Sequence, residues 1–229
     1  MLPGWLKPWL RWGMAGLFGM IVLVSVGLVW ALNVYMTPVE RIKDGDQAFW
    51  KSHLVEAERS YRLALDTAKV NSQKTLAYIR LCRLYRVEGE SLDALRMCQA
   101  AVQSDPGSAL AEAELARVFS ALDAPEEAIS HGQKACELDE TDVVAFLSLA
   151  EAMASYEKGQ EMTGYSRPLE IAQYAYSLDP ANPEVLQVLG FLFQLQRKQD
   201  EAYEYFEPSR QIEPDFFVYY LDLGGIEQA

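Results

Sequence analysis

The sequence predicts an all-α protein: one apolar amino-terminal helix able to cross a membrane, then a solenoid of about five stacked helix pairs. Three observations carry the prediction. No charged side chain occurs from Trp12 to Val39. A small, medium or large, small, breaker order recurs at fixed offsets through the rest of the chain. A second pattern, aromatic or large, then Leu-small, then aromatic or large, lies upstream of each copy of the first.

The first element is the apolar segment, with an anchor region at 1–39 and a span at about 13–36. Its centre, GLFGMIVLVSVGLVWALNVYM (16–36), is long enough as a helix for a hydrocarbon core of roughly 30 Å. Trp9 and Trp12 stand at one end, and Trp30 and Tyr35 near the other. Such rings favour membrane interfaces because their bodies are apolar and one edge is polar. Pro38 helps to end the helix. A cleaved signal peptide is the rival reading, but its apolar run is normally about 7–15 residues and Trp30-Ala31-Leu32-Asn33 is a poor cleavage site. Basic residues nearly tie across the span: Lys7 and Arg11 before it, Arg41, Lys43 and Lys51 after it. The early position of the segment tips the balance towards a single-pass protein with its large domain outside the cytoplasm, as in a periplasm.

The second element is residues 40–229. Ala202, Phe206, Ser209 and Pro214 lie at offsets of four, seven and twelve. The same places hold Ala94, Cys98, Ala101 and Pro106, then Ala128, Gly132, Ala135 and Glu140, then Pro168, Ala172, Ala175 and Pro180. The breakers are spaced by 34, 40 and 34 residues. Upstream stand Tyr78, Leu81-Cys82 and Tyr85, and likewise Glu112, Leu115-Ala116 and Phe119. Phe146, Leu149-Ala150 and Met153 follow, and then Leu186, Leu189-Gly190 and Phe193. Three- and four-residue steps put one apolar stripe on each helix. Small residues let paired helices approach, and large rings fill the gaps.

This order over about 41–229 resembles the tetratricopeptide repeat family, whose unit is a 34-residue helix-turn-helix. The resemblance implies a right-handed solenoid in which neighbouring units bury each other's stripes. Expected units lie near 40–74, 75–108, 109–142, 143–182 and 183–216, with a partial unit at 217–229. The first is degenerate, with Gly45, Ala57, Tyr61 and Ala64, and its second helix is expected to run on towards Ser72. The fourth is six residues longer, and Gly159 and Gly164 suggest an exposed loop within 156–168. Pro208 predicts irregular backbone at 205–210, because it removes a helix hydrogen bond.

Charge narrows the function. Residues 41–229 hold 18 Lys+Arg against 32 Asp+Glu, a net charge of −14. Such a domain repels phosphate backbones, which argues against nucleic acid as a partner. No metal, nucleotide or nucleophile motif occurs, so neither an enzyme nor a cofactor is expected. His53 and His131 stand in separate units, His53 as a solvated turn residue and His131 as a packing or surface residue. Cys82, Cys98 and Cys136 make no CxxC pair. Free buried thiols acting as small hydrophobes are the favoured reading for Cys82 and Cys98, with a disulfide as the alternative.

The resemblance further implies protein or peptide partners on a concave face lined by first helices. In the repeat register that face takes Ile79 and Arg83, Ala113 and Arg117, Leu147 and Glu151, and Gln187 and Phe191, with Arg86 one turn beyond Arg83. The three arginines would form a basic spot suited to carboxylates. The functional expectation is a membrane-anchored scaffold for assembly of a membrane or envelope complex, such as a pilus or photosystem. The alternative is an accessory subunit of a membrane-bound enzyme or sensor.

Overall fold

The computed structural model describes residues 37–160 and 164–212. They form ten α-helices: α1 Pro38–Trp50, α2 Leu54–Thr67, α3 Asn71–Val87, α4 Ser91–Ser104, α5 Ala109–Ala121, α6 Pro125–Leu138, α7 Val143–Gly159, α8 Ser166–Leu178, α9 Pro183–Leu195 and α10 Gln199–Ile212. Each odd-numbered helix packs on the next even one, and each even one on the next odd one. The odd helices also touch each other in succession, α1 to α3, α3 to α5, α5 to α7 and α7 to α9. The result is a helical solenoid whose first helices form one continuous layer.

Local chemistry explains the boundaries. Thr37 caps α1 through a reciprocal pair with Glu40, and Pro38 occupies the first helical position, where a missing N–H costs nothing. Pro38 therefore starts a helix. The links between units repeat one device in DPGS (105–108), DETD (139–142) and DPAN (179–182). The leading Asp ends a helix, and Ser108, Asp142 or Asn182 caps the next through its side-chain oxygen. Inside units, Ser52, Gly89, Asp123 and Arg197 each adopt a positive φ of 57–78°, which reverses the chain in two or three residues.

Packing explains the small residues. A Cβ at Gly190 would lie 2.5 Å from Cε1 of Phe206, and one at Gly45 would overlap the Tyr61 ring. These pairs, sixteen residues apart, mark where the helices of a unit come closest. In the second unit the same pair is Cys82 and Cys98, whose Cα atoms are 5.3 Å apart, and the two form a disulfide. The favoured expectation of free thiols is thereby corrected: the register puts both sulfurs at the point of closest approach. Cys136 is the free, half-buried cysteine, and burial pushes its thiol up to about 11. The repeat-marking residues Leu81, Ala94, Ala101, Leu115, Ala128, Leu149, Leu189 and Ala202 are buried, Tyr78 is half-buried, and Pro106 and Pro180 stand in exposed turns.

Four further expectations are revised. Helix α2 ends at Thr67, and the extra turn belongs to α3. The loop expected in the fourth unit is narrowed: Gly159 and Gly164 are exposed as expected, but α7 runs on to Gly159 and Tyr165 is buried in the core of that unit. Helix α10 continues through Pro208, because the adjacent Ser209 hydroxyl donates to the Pro183 carbonyl (3.0 Å) and pins the last turn to α9. The single-pass membrane placement is also corrected. Among the described residues no helix is long and apolar enough to cross a membrane, so that placement is not supported. The expected span at 13–36 with Trp12, Trp30 and Tyr35, and also Pro214 and the partial unit 217–229, lie outside the described residues.

Candidate functional site

The layer of first helices carries a row of equivalent positions: Asp46 on α1, Arg83 on α3, Arg117 on α5, Glu151 on α7 and Phe191 on α9. The repeat aligns them, because successive first helices pack side by side in nearly constant register. Ion pairs bridge the row. The Arg117 guanidinium reaches Glu114 on its own helix (3.4 Å), Glu151 on α7 (2.9 Å) and Glu184 on α9 (2.5 Å). Arg86 on α3 meets the other oxygen of Glu114 (3.4 Å). Four helices, spanning three unit boundaries, are thus joined by charge-assisted bonds, with the Arg117 side chain only 4% exposed. Burial costs each ion its hydration, and the cost is offset only when every charge faces a partner.

The carboxylates of this network titrate in opposite directions. Burial alone would raise Glu114, but the guanidiniums of Arg86, Arg117 and Arg83 together hold it below the ordinary carboxylate range. Burial pushes Glu151 up. Arg117 opposes that rise and the neighbouring Glu184 adds to it, leaving Glu151 above the ordinary range.

At the α1 end of the layer a cavity of about 50 Å³ is lined by Asp46, Phe49, Trp50, Tyr61, Arg80 and Arg83. One oxygen of Asp46 accepts both Arg80 Nε and the Tyr61 hydroxyl, each at 2.8 Å. Arg83 lies over the rings of Phe49 (5.8 Å) and Trp50 (5.4 Å), a stacking that guanidinium favours.

The expected site residues divide in two. Ile79, Leu147 and Gln187 are 2%, 0% and 3% exposed and pack between helices. Arg83, Arg86 and Phe191 are half-buried on the layer. The arginines do not form an isolated basic spot, since Arg86 and Arg117 are absorbed by carboxylates. Two members were not anticipated. Glu114 was legible three residues before Arg117 on one helix face, whereas nothing local in the sequence brings Glu184 to Arg117. His131 also has a structural role: it stacks on Phe119 (centroids 5.1 Å apart) and pairs with buried Glu112 (2.7 Å), which Lys134 also meets (2.5 Å). His53 stands exposed at the start of α2 beside Glu56. Among the described residues no group of three or more His, Cys, Asp or Glu could hold a metal ion.

No family model matches the chain, and no curated protein matches it. Solved structures do. TTC0263, a thermophilic TPR protein in Thermus thermophilus, superposes with a TM-score of 0.66 at 17% identity, over 82% of this chain and 98% of that one. A MamA structure gives a TM-score of 0.46 at 20% identity, covering 84% and 97%. YrrB, described as a TPR protein with an unusual peptide-binding site, gives 0.44 at 20% identity, covering 82% and 92%. Together with the ten paired helices, the likeness to TTC0263 shows that this chain has a fold of the tetratricopeptide repeat type.

Proposed function

We propose that the protein is a binding scaffold whose first-helix layer is a concave face that docks an extended protein or peptide segment, in the service of assembling a multiprotein complex. The observation that carries the reading is the ion network across α3, α5, α7 and α9. It fixes the relative positions of helices that would otherwise present independent surfaces. A preorganised surface loses less entropy on binding than one that must order itself. Arg83, Arg86 and Phe191 are the members that meet the segment; Ile79, Arg117, Leu147 and Gln187 support them from beneath.

The test is selection of a displayed random-peptide library on the full chain, followed by affinity measurement for the enriched peptides. Phe191→Ala and Arg83→Glu should each weaken binding by about tenfold or more, the range of an interface hot spot. Leu92→Ala and Tyr203→Ala, at exposed positions of second helices, should leave it unchanged. The opposite pattern, or no enrichment, refutes the reading.

A further inference from the structure

We infer that the surface where α8 meets α10 is a second docking site, and that its occupant is an arginine-bearing segment of a protein partner. The inference goes beyond the docking function proposed above, because the residues that would touch this occupant stand on second helices and share none with the first-helix layer.

The surface is built around a ring pair. Tyr176 of α8 and Tyr205 of α10 meet edge to face, centroids 6.1 Å apart and planes at 87°. Phe193 of α9 stacks on Tyr205 (5.4 Å) and holds it. Tyr176, 37% exposed, is the ring open to a ligand. The cluster already attracts a cation, since the Lys198 ammonium lies 5.7 Å from the Phe193 centroid, within the range of attraction to an aromatic face.

Charge names the occupant. Glu201, Glu204 and Tyr205 stand at i, i+3 and i+4 on α10, so both carboxylates share the side of the helix that carries the ring pair. Both are exposed. Burial, then Tyr176 and Glu204, push the Tyr205 hydroxyl above the ordinary phenol range, so the ring stays neutral beside them. Other second-helix acids have cations on their own helix: Glu58 has Arg62, Asp93 has Arg96 and Glu207 has Arg210. Asp200, Glu201 and Glu204 make no ion pair among the described residues. The helix N-terminus favours Asp200 and Glu201 in its first turn. Glu204 lies beyond that turn and repels Asp200, Glu201 and Glu207 at three- and four-residue steps. A partner's cations would relieve this repulsion.

Arginine suits the surface better than lysine. A planar guanidinium can lie on the Tyr176 ring while its edge offers paired donors to a carboxylate. The same acids repel phosphate backbones and anionic lipid, which leaves a basic protein segment as the partner.

The probes are three fluorescein-labelled nonapeptide amides, each with three repeats of Arg-Gly-Ser, Lys-Gly-Ser or Gln-Gly-Ser. The full chain is titrated into each at about 150 mM salt, where remote charges are screened, and binding is read by fluorescence anisotropy. The Arg peptide should bind saturably, about two- to fivefold more tightly than the Lys peptide, and the Gln peptide should not bind. Glu201→Gln with Glu204→Gln should weaken the Arg peptide by about tenfold or more, as loss of charge-assisted contacts does. Glu126→Gln with Glu127→Gln removes equal charge from α6 and should change its affinity less than about twofold. Tyr176→Ala should bring the Arg and Lys affinities together, whereas Tyr176→Phe should keep them apart. Tyr203→Ala, on the opposite flank of α10, and Phe191→Ala, in the first-helix layer, should leave the Arg peptide untouched. Unchanged circular dichroism excludes misfolding of each variant.

Equal losses for the α10 and α6 pairs overturn the inference, because binding would then follow bulk charge alone. So does an Arg preference that survives Tyr176→Ala, a Gln peptide that binds as tightly as the Arg peptide, or an Arg peptide that does not bind. Loss of the Arg peptide with Phe191→Ala overturns it as well, since that would place the peptide on the first-helix layer. None of these outcomes touches the library-selected peptides, so the docking function stands or falls by its own test.

Discussion

Replacing Gly190 by Ala tests the claim that the contact between first and second helices sets residue size in each unit. An added Cβ would sit 2.5, 2.6 and 2.9 Å from Cε1, Cδ1 and Cζ of Phe206, all inside van der Waals contact. The substitution removes the helix penalty of Gly, a gain of about 1 kcal/mol. Against that gain, overpacking a fitted contact costs about 1–3 kcal/mol. A rigid ring can yield only by moving as a whole, so the cost should prevail, with a net loss of about 1 kcal/mol. Phe206→Leu alone should cost about 1–2 kcal/mol through lost contact. In the double variant the smaller side chain makes room for the methyl, and the penalty of Ala at position 190 should vanish. The cycle should therefore show a favourable coupling of about 1–2 kcal/mol, above the roughly 0.3–0.5 kcal/mol by which independent sites depart from additivity. Urea unfolding of the four proteins, followed by circular dichroism, supplies the numbers. Hydrogen exchange in α9 and α10 localises the effect, because a solenoid is stabilised by nearest-neighbour contacts. Additive losses, or a Gly190→Ala protein more stable than the parent, would refute the reasoning.

Four other outcomes are expected. Changing Cys82 and Cys98 to Ala removes a crosslink of sequence separation 16 and should cost about 3 kcal/mol by loop closure; reductant should lower the parent's urea midpoint and leave the variant's unchanged. Arg117→Met deprives Glu114, Glu151 and Glu184 of their shared cation and should cost about 3–5 kcal/mol, whereas Glu151→Gln, which leaves Arg117 two carboxylates, should cost far less in the same assay. Glu114 is held below its unfolded value, so its stabilising contribution is present above pH about 4.5 and lost as pH falls through the folded pKa; Glu114→Gln should flatten that acid limb in urea midpoints measured from pH 3 to 6. Asp123→Gly and Arg197→Gly, at left-handed turn positions, should each stabilise the chain and so raise the thermal midpoint, because the roughly 1–2 kcal/mol of relieved strain exceeds the roughly 0.4–1 kcal/mol that Gly adds in unfolded-chain entropy.

How far the sequence reached depends on the range of the forces involved. The helix pairs were legible because Leu81, Leu115, Leu149 and Leu189, and Ala94, Ala128 and Ala202, recur at the same place in their units while small and large residues within each helix step by three or four, and the links because Asp, Pro and a capping residue act within four positions. Those are local rules, and the described helices follow them. The ends of α2 and α7 were not legible, since at Ser72 and Gly159 neither Gly nor polarity distinguishes a continuing helix from a loop. The arginines of the first helices were found by register alone, but register could not show whether they face solvent or acid.

The sequence by itself determined a repeating helical hairpin and the places where its helices must be slim, because both follow from periodicity and side-chain volume along one chain. Only the tertiary structure decided that Cys82 meets Cys98 as a disulfide, that Arg117 gathers carboxylates from three helices, and that Arg83 lies over Phe49 and Trp50. Each of those depends on distances between separate helices, set by how the units stack, and a few ångströms there separate a solvated charge from a buried ion pair.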